Sequence, residues 1–193
     1  MFDQAYWEER YRAGGHHRQV PSPQLVAEVA DLPPGTALEA GCGEGANAIW
    51  LAGRGWRVTA VDISATALER AREDGADVPV DWVHADLTDW TPPAEHFDLV
   101  SAHYVHPTGP PGALFAKLAS AVAPGGTLLV VGHDPADHHS VPEAHSTTAD
   151  VIAALEPDRW DVVVAESRTR VATDPHGRGV ELHDAVLRAR KRS

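Results

Sequence analysis

Leu38-Glu39-Ala40-Gly41-Cys42-Gly43-Glu44-Gly45 sets glycines at alternate positions between an apolar run and a helix-forming one. Glycines so placed let a backbone turn sharply and approach a ligand closely. Gly41, Gly43 and Ala46 also fit the dinucleotide loop pattern with alanine in its third place, so the loop alone leaves the ligand open. Asp62 closes the next apolar run about 20 residues on, where an acid can accept from both ribose hydroxyls, or simply cap the following turn. Glu39 is an acid where a dinucleotide loop has an apolar strand residue, and an acid there can hold an ammonium group. Asp86, in HADL, is placed to meet an adenine amino group. Cys42 sits among positions that bring backbone to a ligand and reads as a small loop filler rather than a nucleophile.

A second set of reactive side chains is the histidines, twelve in all. His103 and His106 follow a fourth apolar run, FDLVSAH, and His133 follows a fifth, GTLLVVG. Imidazole can act as a base near neutral pH, orient an acceptor or bind a metal. His16, His17 and Arg18 fall in AGGHHRQVPSP, a glycine- and proline-punctuated segment that reads as a mobile lid. One cysteine and scattered histidines match no defined metal motif, so no metal is expected.

These residues need a frame. ALEA, WRVTAVD, VDWVHAD, FDLVSAH and GTLLVVG have buried-strand length. ANAIWLAGRG, SATALERAREDG and ALFAKLASAVA alternate with them as helices, and Ser64 is a plausible N-cap. Asp3 to Arg12 and PQLVAEVADL read as helices that precede the first strand. After STTADVIAALE, a further helix, WDVVVAESRTRV and VELHDAVLRAR read as strands joined by TDPHGRG. Alternation followed by a terminal hairpin predicts a mostly parallel sheet with an antiparallel edge.

The 193 residues suit one domain, with residues 1–30 as N-terminal helices and lid. Hydrophobic residues at 43% and charged residues at 23% are ordinary globular values. A formal charge of −12 makes nucleic acid and anionic membrane poor partners. The basic run Arg188 to Arg192 reads as a solvated tail. No apolar stretch approaches the roughly 20 residues of a membrane helix. The start, MFDQAYWEER, lacks the order of a signal peptide, so a cytoplasmic location is expected.

LEAGCGEG, VTAVDIS, HADLTDW, FDLVSAH and LAxAVAPGGTLLVV, in this order, resemble the motif series of class I S-adenosylmethionine-dependent methyltransferases. The resemblance covers about residues 36–132 firmly and the ends more loosely. It implies a Rossmann-like three-layer α/β sandwich whose seven-stranded sheet has the order 3-2-1-4-5-7-6 with strand 7 antiparallel. It implies S-adenosylmethionine as cofactor and S-adenosylhomocysteine as product. The implied cofactor contacts are Glu39, Gly41, Cys42, Gly43, Gly45, Asp62, Ile63, Asp86, Leu87, Ala102 and His103, with Arg18 from the lid. Trp7 either packs in the core or lines the same site.

His103, His106 and His133 become the candidate catalytic groups. Ser101-Ala102-His103-Tyr104 stands where enzymes that methylate base or amide nitrogens carry Asn/Asp-Pro-Pro-Tyr. The short form and the ending AVLRARK resemble the small-molecule branch, tellurite-resistance and thiopurine-type enzymes. The expectation is a monomer or homodimer that methylates a small molecule. A non-catalytic module binding the same cofactor, or a nicotinamide-dependent reductase, is the alternative.

Overall fold

The computed structural model describes residues 2–16, 20–106, 111–138, 140–141, 144–173 and 179–193. Two helices, α1 (Gln4–Ala13) and α2 (Pro23–Val29), lead into β1 (Thr36–Ala40). Then follow α3 (Ala46–Gly53), β2 (Arg57–Asp62), α4 (Ala65–Asp74), β3 (Val80–His84) and β4 (Phe97–His103). The chain continues through α5 (Pro111–Ala121), β5 (Val122–His133), α6 (Thr148–Ala153), β6 (Trp160–Thr173) and β7 (Gly179–Lys191). The sheet order is β3-β2-β1-β4-β5-β7-β6. β1 to β5 pair in parallel, and β7 runs antiparallel to both neighbours. This is the architecture read from the sequence.

Successive strand residues face opposite sides of a sheet, so continuous apolar runs feed two cores. Ala37, Val58, Ala60, Leu99, Leu129 and Val131 pack with Leu25 and Val29 of α2, Ala48 and Leu51 of α3 and Leu68 of α4. On the other face Leu38, Ala40, Val61, Val100, Ala102, Leu128 and Val130 pack with Phe115 and Leu118 of α5 and Val151 of α6. Burying both faces leaves the strand ends as the place where polar side chains can meet a ligand.

Three differences from the sequence reading are informative. β5 begins at Val122, which pairs with Phe97 before an irregularity in register, so the Pro124-Gly125-Gly126 turn is absorbed into the strand. A 3-10 turn at Pro157–Arg159 introduces β6. The basic run is not a solvated tail: Arg188 to Lys191 form the end of β7 and Arg192 follows it. Arg188 Nη1 donates to Glu28, Lys191 is buried and donates to Val122 O at 2.8 Å, and Arg192 Nε donates to Asp161. Of the hairpin turn that the sequence places at 173–179, positions 174–178 lie outside the described residues. No helix among the described residues is long and apolar enough to cross a membrane.

Candidate functional site

The carboxyl ends of β1, β2, β4 and β5 open into one cleft of about 840 Å³, walled on the far side by α1. Its floor is the glycine loop. Gly41 and Cys42 both donate to Val61 O, at 2.8 and 3.0 Å, which folds the loop back over β2. Gly41, Gly43 and Gly45 have φ of 72°, 53° and 85°. A Cβ at Gly43 would stand 2.7 Å from Tyr11 Oη, and one at Gly45 would stand 2.6 Å from Trp82 Cη2. The alternate glycines are therefore required by handedness and by close approach together.

Two acids tie the loop to the sheet. Asp62 Oδ2 accepts from Gly43 N–H at 2.7 Å and its Oδ1 accepts from Ser64 N–H at 2.8 Å. Burial pushes its pKa up, against those backbone donors. Glu39, 1% exposed, accepts from Asn47 Nδ2 through Oε1 at 2.8 Å, while its Oε2 is buried without a hydrogen-bond partner. Burial pushes its pKa up to about 7, opposed by Asn47 and by Ser101, which faces it across the β1–β4 pair. An ionised carboxylate with a bare buried oxygen is costly unless a cation meets it.

Asp86, Leu87 and Ile63 also line the cleft. Asp86 Oδ1 accepts from Thr88 N–H at 2.7 Å, and Lys117 Nζ donates to Leu87 O, Thr88 O and Trp90 O at 3.0, 2.6 and 3.2 Å. That ammonium gathers three carbonyls and sets the loop after β3. Nothing local in the sequence points to it.

α1 is docked by a buried acid. Glu8 accepts from Ala65 N–H at 2.6 Å and from Thr66 Oγ1 at 2.7 Å, capping the N-terminus of α4. The docking turns Trp7 and Tyr11 into the cleft. Burial, with the nearby carboxylate of Asp62 second, pushes the Tyr11 phenol up, so it stays protonated. Trp7 lies parallel to His106, 6.0 Å between centroids and 8° between planes.

His106 in turn lies parallel to His133, 5.8 Å apart at 9°, and Tyr104 covers His133 at 4.8 Å. Tyr104 is one of two non-glycine residues with positive φ among those described, at 52°, in a conformation that costs energy and concentrates at functional sites. Arg170 of β6 stacks its guanidinium 5.5 Å above Tyr104 and donates through Nε to the buried Asp184 at 2.8 Å. Arg170 and Arg10 both line the cleft. Sequence reasoning found neither, since one sits in the terminal hairpin and the other on a helix where only the aromatic residues drew notice.

The three histidines differ. His103 is buried, with Nε2 2.9 Å from Ser101 Oγ and Nδ1 without a partner. Burial pulls its pKa down to about 3, so it is neutral and a poor base near neutral pH. Burial first, then His133 and Arg10, bring His106 down to about 4. His133 is lowered by burial against the opposing pull of Asp137.

Other candidates fall elsewhere. Ala102 does not line the cleft: its side chain is in the core shared with α5, because β4 alternates. His16 is 3.2 Å from Asp74 Oδ2 at the end of α4, outside the lining. His17 and Arg18 lie outside the described residues. Cys42 lines the cleft as a buried thiol whose pKa burial pushes up, consistent with a filler. Among the described residues no three metal-binding side chains cluster.

Against known proteins, residues 37–126 match the family model described as a methyltransferase domain. An uncharacterised methyltransferase of Mycobacterium bovis is 42% identical over 108 residues, 53% of this chain and 53% of that protein. Trans-aconitate 2-methyltransferase of Paracidovorax citrulli is 35% identical over 169 residues, 83% of this chain and 61% of that one. The chain thus spans about half to three fifths of the length of these relatives. An S-adenosylmethionine-dependent methyltransferase of Mesorhizobium loti superposes with a TM-score of 0.67 at 20% identity, over 87% of this chain and 96% of that one. That likeness bears on the fold alone. Sheet order and glycine loop are those of the Rossmann-like methyltransferase fold, and residues 37–126 are similar to a methyltransferase domain.

Proposed function

We propose that this chain transfers the methyl group of S-adenosylmethionine to a small-molecule acceptor bound in the cleft. The observation that carries the reading is Glu39 Oε2, a buried carboxylate oxygen without a partner beside a loop of left-handed glycines. The cofactor's α-ammonium is the cation such an oxygen calls for.

The rest of the donor set suits the same ligand. Asp62 has lone pairs left for ribose hydroxyls after Gly43 and Ser64. Asp86, Leu87 and Ile63 provide an acid and apolar surface for adenine. When bound, the cofactor supplies a sulfonium methyl that is already activated, so transfer depends mainly on alignment and exclusion of water.

The chain's own residues would provide that alignment. Glu39 and the glycine loop anchor one end and Asp62 the middle. The stack of Trp7, His106 and His133 walls the end where an acceptor would sit. The trans-aconitate relative supports a small acceptor, and a cleft of about 840 Å³ bounded by α1 suits one.

Calorimetry with S-adenosylhomocysteine tests the reading, beside thermal shifts with NAD and NADP. Binding of the homocysteine compound alone, lost by at least tenfold in Glu39→Gln, is expected. Stabilisation by NAD or NADP instead would overturn the assignment in favour of a reductase.

A further inference from the structure

Of the histidines along the acceptor end of the cleft, one has a carboxylate behind it. His133 Nδ1 stands 3.1 Å from Asp137 Oδ2, and Asp137 is 1% exposed. The pairing is built into the end of β5. Asp137 N–H donates to Asp134 O at 2.8 Å, and Asp134 N–H donates to His183 O at 3.0 Å, which fastens the turn to β7. A carboxylate at Nδ1 sets the tautomer with its proton there and leaves Nε2 with a lone pair. The ring is held between His106 and Tyr104, both lining the cleft. His103 instead spends Nε2 on Ser101, and His106 is placed by stacking.

Resting on the methyl-transfer reading above, we propose that His133 Nε2 is the proton acceptor of the reaction and Asp137 its positioning residue, so the methyl acceptor enters protonated, as a thiol or hydroxyl. The acceptor's X–H bond breaks and its proton passes to Nε2. Its electron pair forms the bond to the methyl carbon, and the carbon–sulfur pair leaves with sulfur. The positive charge lost at sulfur is regained on the imidazolium, beside Asp137.

The groups facing His133 are Asp137 in its turn, Tyr104 and His106 after β4, Arg170 of β6, Asp184 of β7 and the adjoining His145. Burial outweighs Asp137 and keeps the ring neutral at pH 7, the form a base requires. An already ionised carboxylate acceptor would need no such group.

The test begins with nitrogen NMR of the histidines in the full chain. His133 is expected as the Nδ1–H tautomer, and Asp137→Asn should shift the tautomer ratio and lower its pKa further. Turnover with benzenethiol or phenol as probe acceptor should lose at least tenfold in kcat in Asp137→Asn, with KM changed less than threefold. The thiol and hydroxyl arms distinguish the two acceptor chemistries. Should Asp137→Asn not fold, His133→Gln, at a partly exposed position, must show the same kcat loss. An unmoved tautomer in folded Asp137→Asn overturns the dyad. So does turnover of trans-aconitate alone, or of none of the three probes. Failure of S-adenosylhomocysteine to bind the parent protein would instead remove the methyl-transfer reading beneath it.

Discussion

Asp62 Oδ2 accepts the Gly43 N–H at 2.7 Å, so the acid that ends β2 is also the clasp of the loop that follows β1. At a strand end Asp62 reads as a ribose acceptor or as the cap of the following turn, and the clasp on Gly43 is tertiary. With Ser64 on its other oxygen, the carboxylate holds two backbone donors that would otherwise be buried and unpaired.

Asp62→Ala should therefore do two things. Affinity for S-adenosylhomocysteine should fall at least tenfold, and stability should fall by about 1–3 kcal/mol for the orphaned donors. Calorimetry and denaturant melts on the same sample separate the effects. Lost binding with an unchanged melt would mean the clasp contributes nothing.

Glu39 should make cofactor binding release a proton. With a pKa near 7 the empty site is mostly protonated at pH 6, whereas an ammonium on Oε2 favours the ionised form. About one proton should leave on binding S-adenosylhomocysteine at pH 6 and almost none at pH 8. Titrations in buffers of different ionisation enthalpy measure this directly. Equal release at both pH values would show that Glu39 does not meet the ammonium.

The strand order and the glycine loop were legible because their signals are local: apolar runs of strand length, alternate glycines and acids at strand ends. The acceptor end was legible only in part. His103, His106 and His133 stand out as polar residues after apolar strands. The partners that distinguish them are tertiary. Arg170 reaches Tyr104 from the terminal hairpin, and Ser101 neutralises the claim of His103 by facing back along β4. Asn47 links Ser22 N–H to Glu39 from the first turn of α3, and both partners are set by tertiary packing. Ala102 belongs to a motif whose neighbours reach the cleft, while its own side chain alternates into the core.

Glu8 predicts an acid-labile N-terminal helix. Its pKa is lowered, chiefly by the Thr66 hydroxyl, with the Ala65 amide helping. A lowered carboxylate contributes stability above its ordinary value of 4.5, lost as pH falls through the lower folded value. α1 should undock in acid before the sheet unfolds, exposing Trp7 to solvent. Glu8→Gln should cost about 1 kcal/mol, the scale of a helix cap, and open the cleft at neutral pH. Tryptophan fluorescence against pH reports the step. A single cooperative transition, identical in Glu8→Gln, would contradict it.

Two groups on the cleft floor, Glu39 and His103, are shifted in opposing directions. Glu39 at about 7 keeps a proton that the unfolded chain has lost above 4.5, so its contribution to stability falls as pH rises from 4.5 to 7. His103 at about 3 stays bare where the unfolded imidazole is charged below 6.5, so its contribution falls as pH drops from 6.5 to 3. Between 4.5 and 6.5 the folded pair carries its one proton on Glu39 and the unfolded pair carries it on His103. The two slopes, each about 1.4 kcal/mol per pH unit, cancel there. Relative to the parent, His103→Gln should then lose stability as pH rises through this window, and Glu39→Gln should gain it. Urea melts of the three proteins at pH 5 and pH 6 read the slopes. If both variants keep the parent's slope, neither group is shifted, and the cleft floor is open to water.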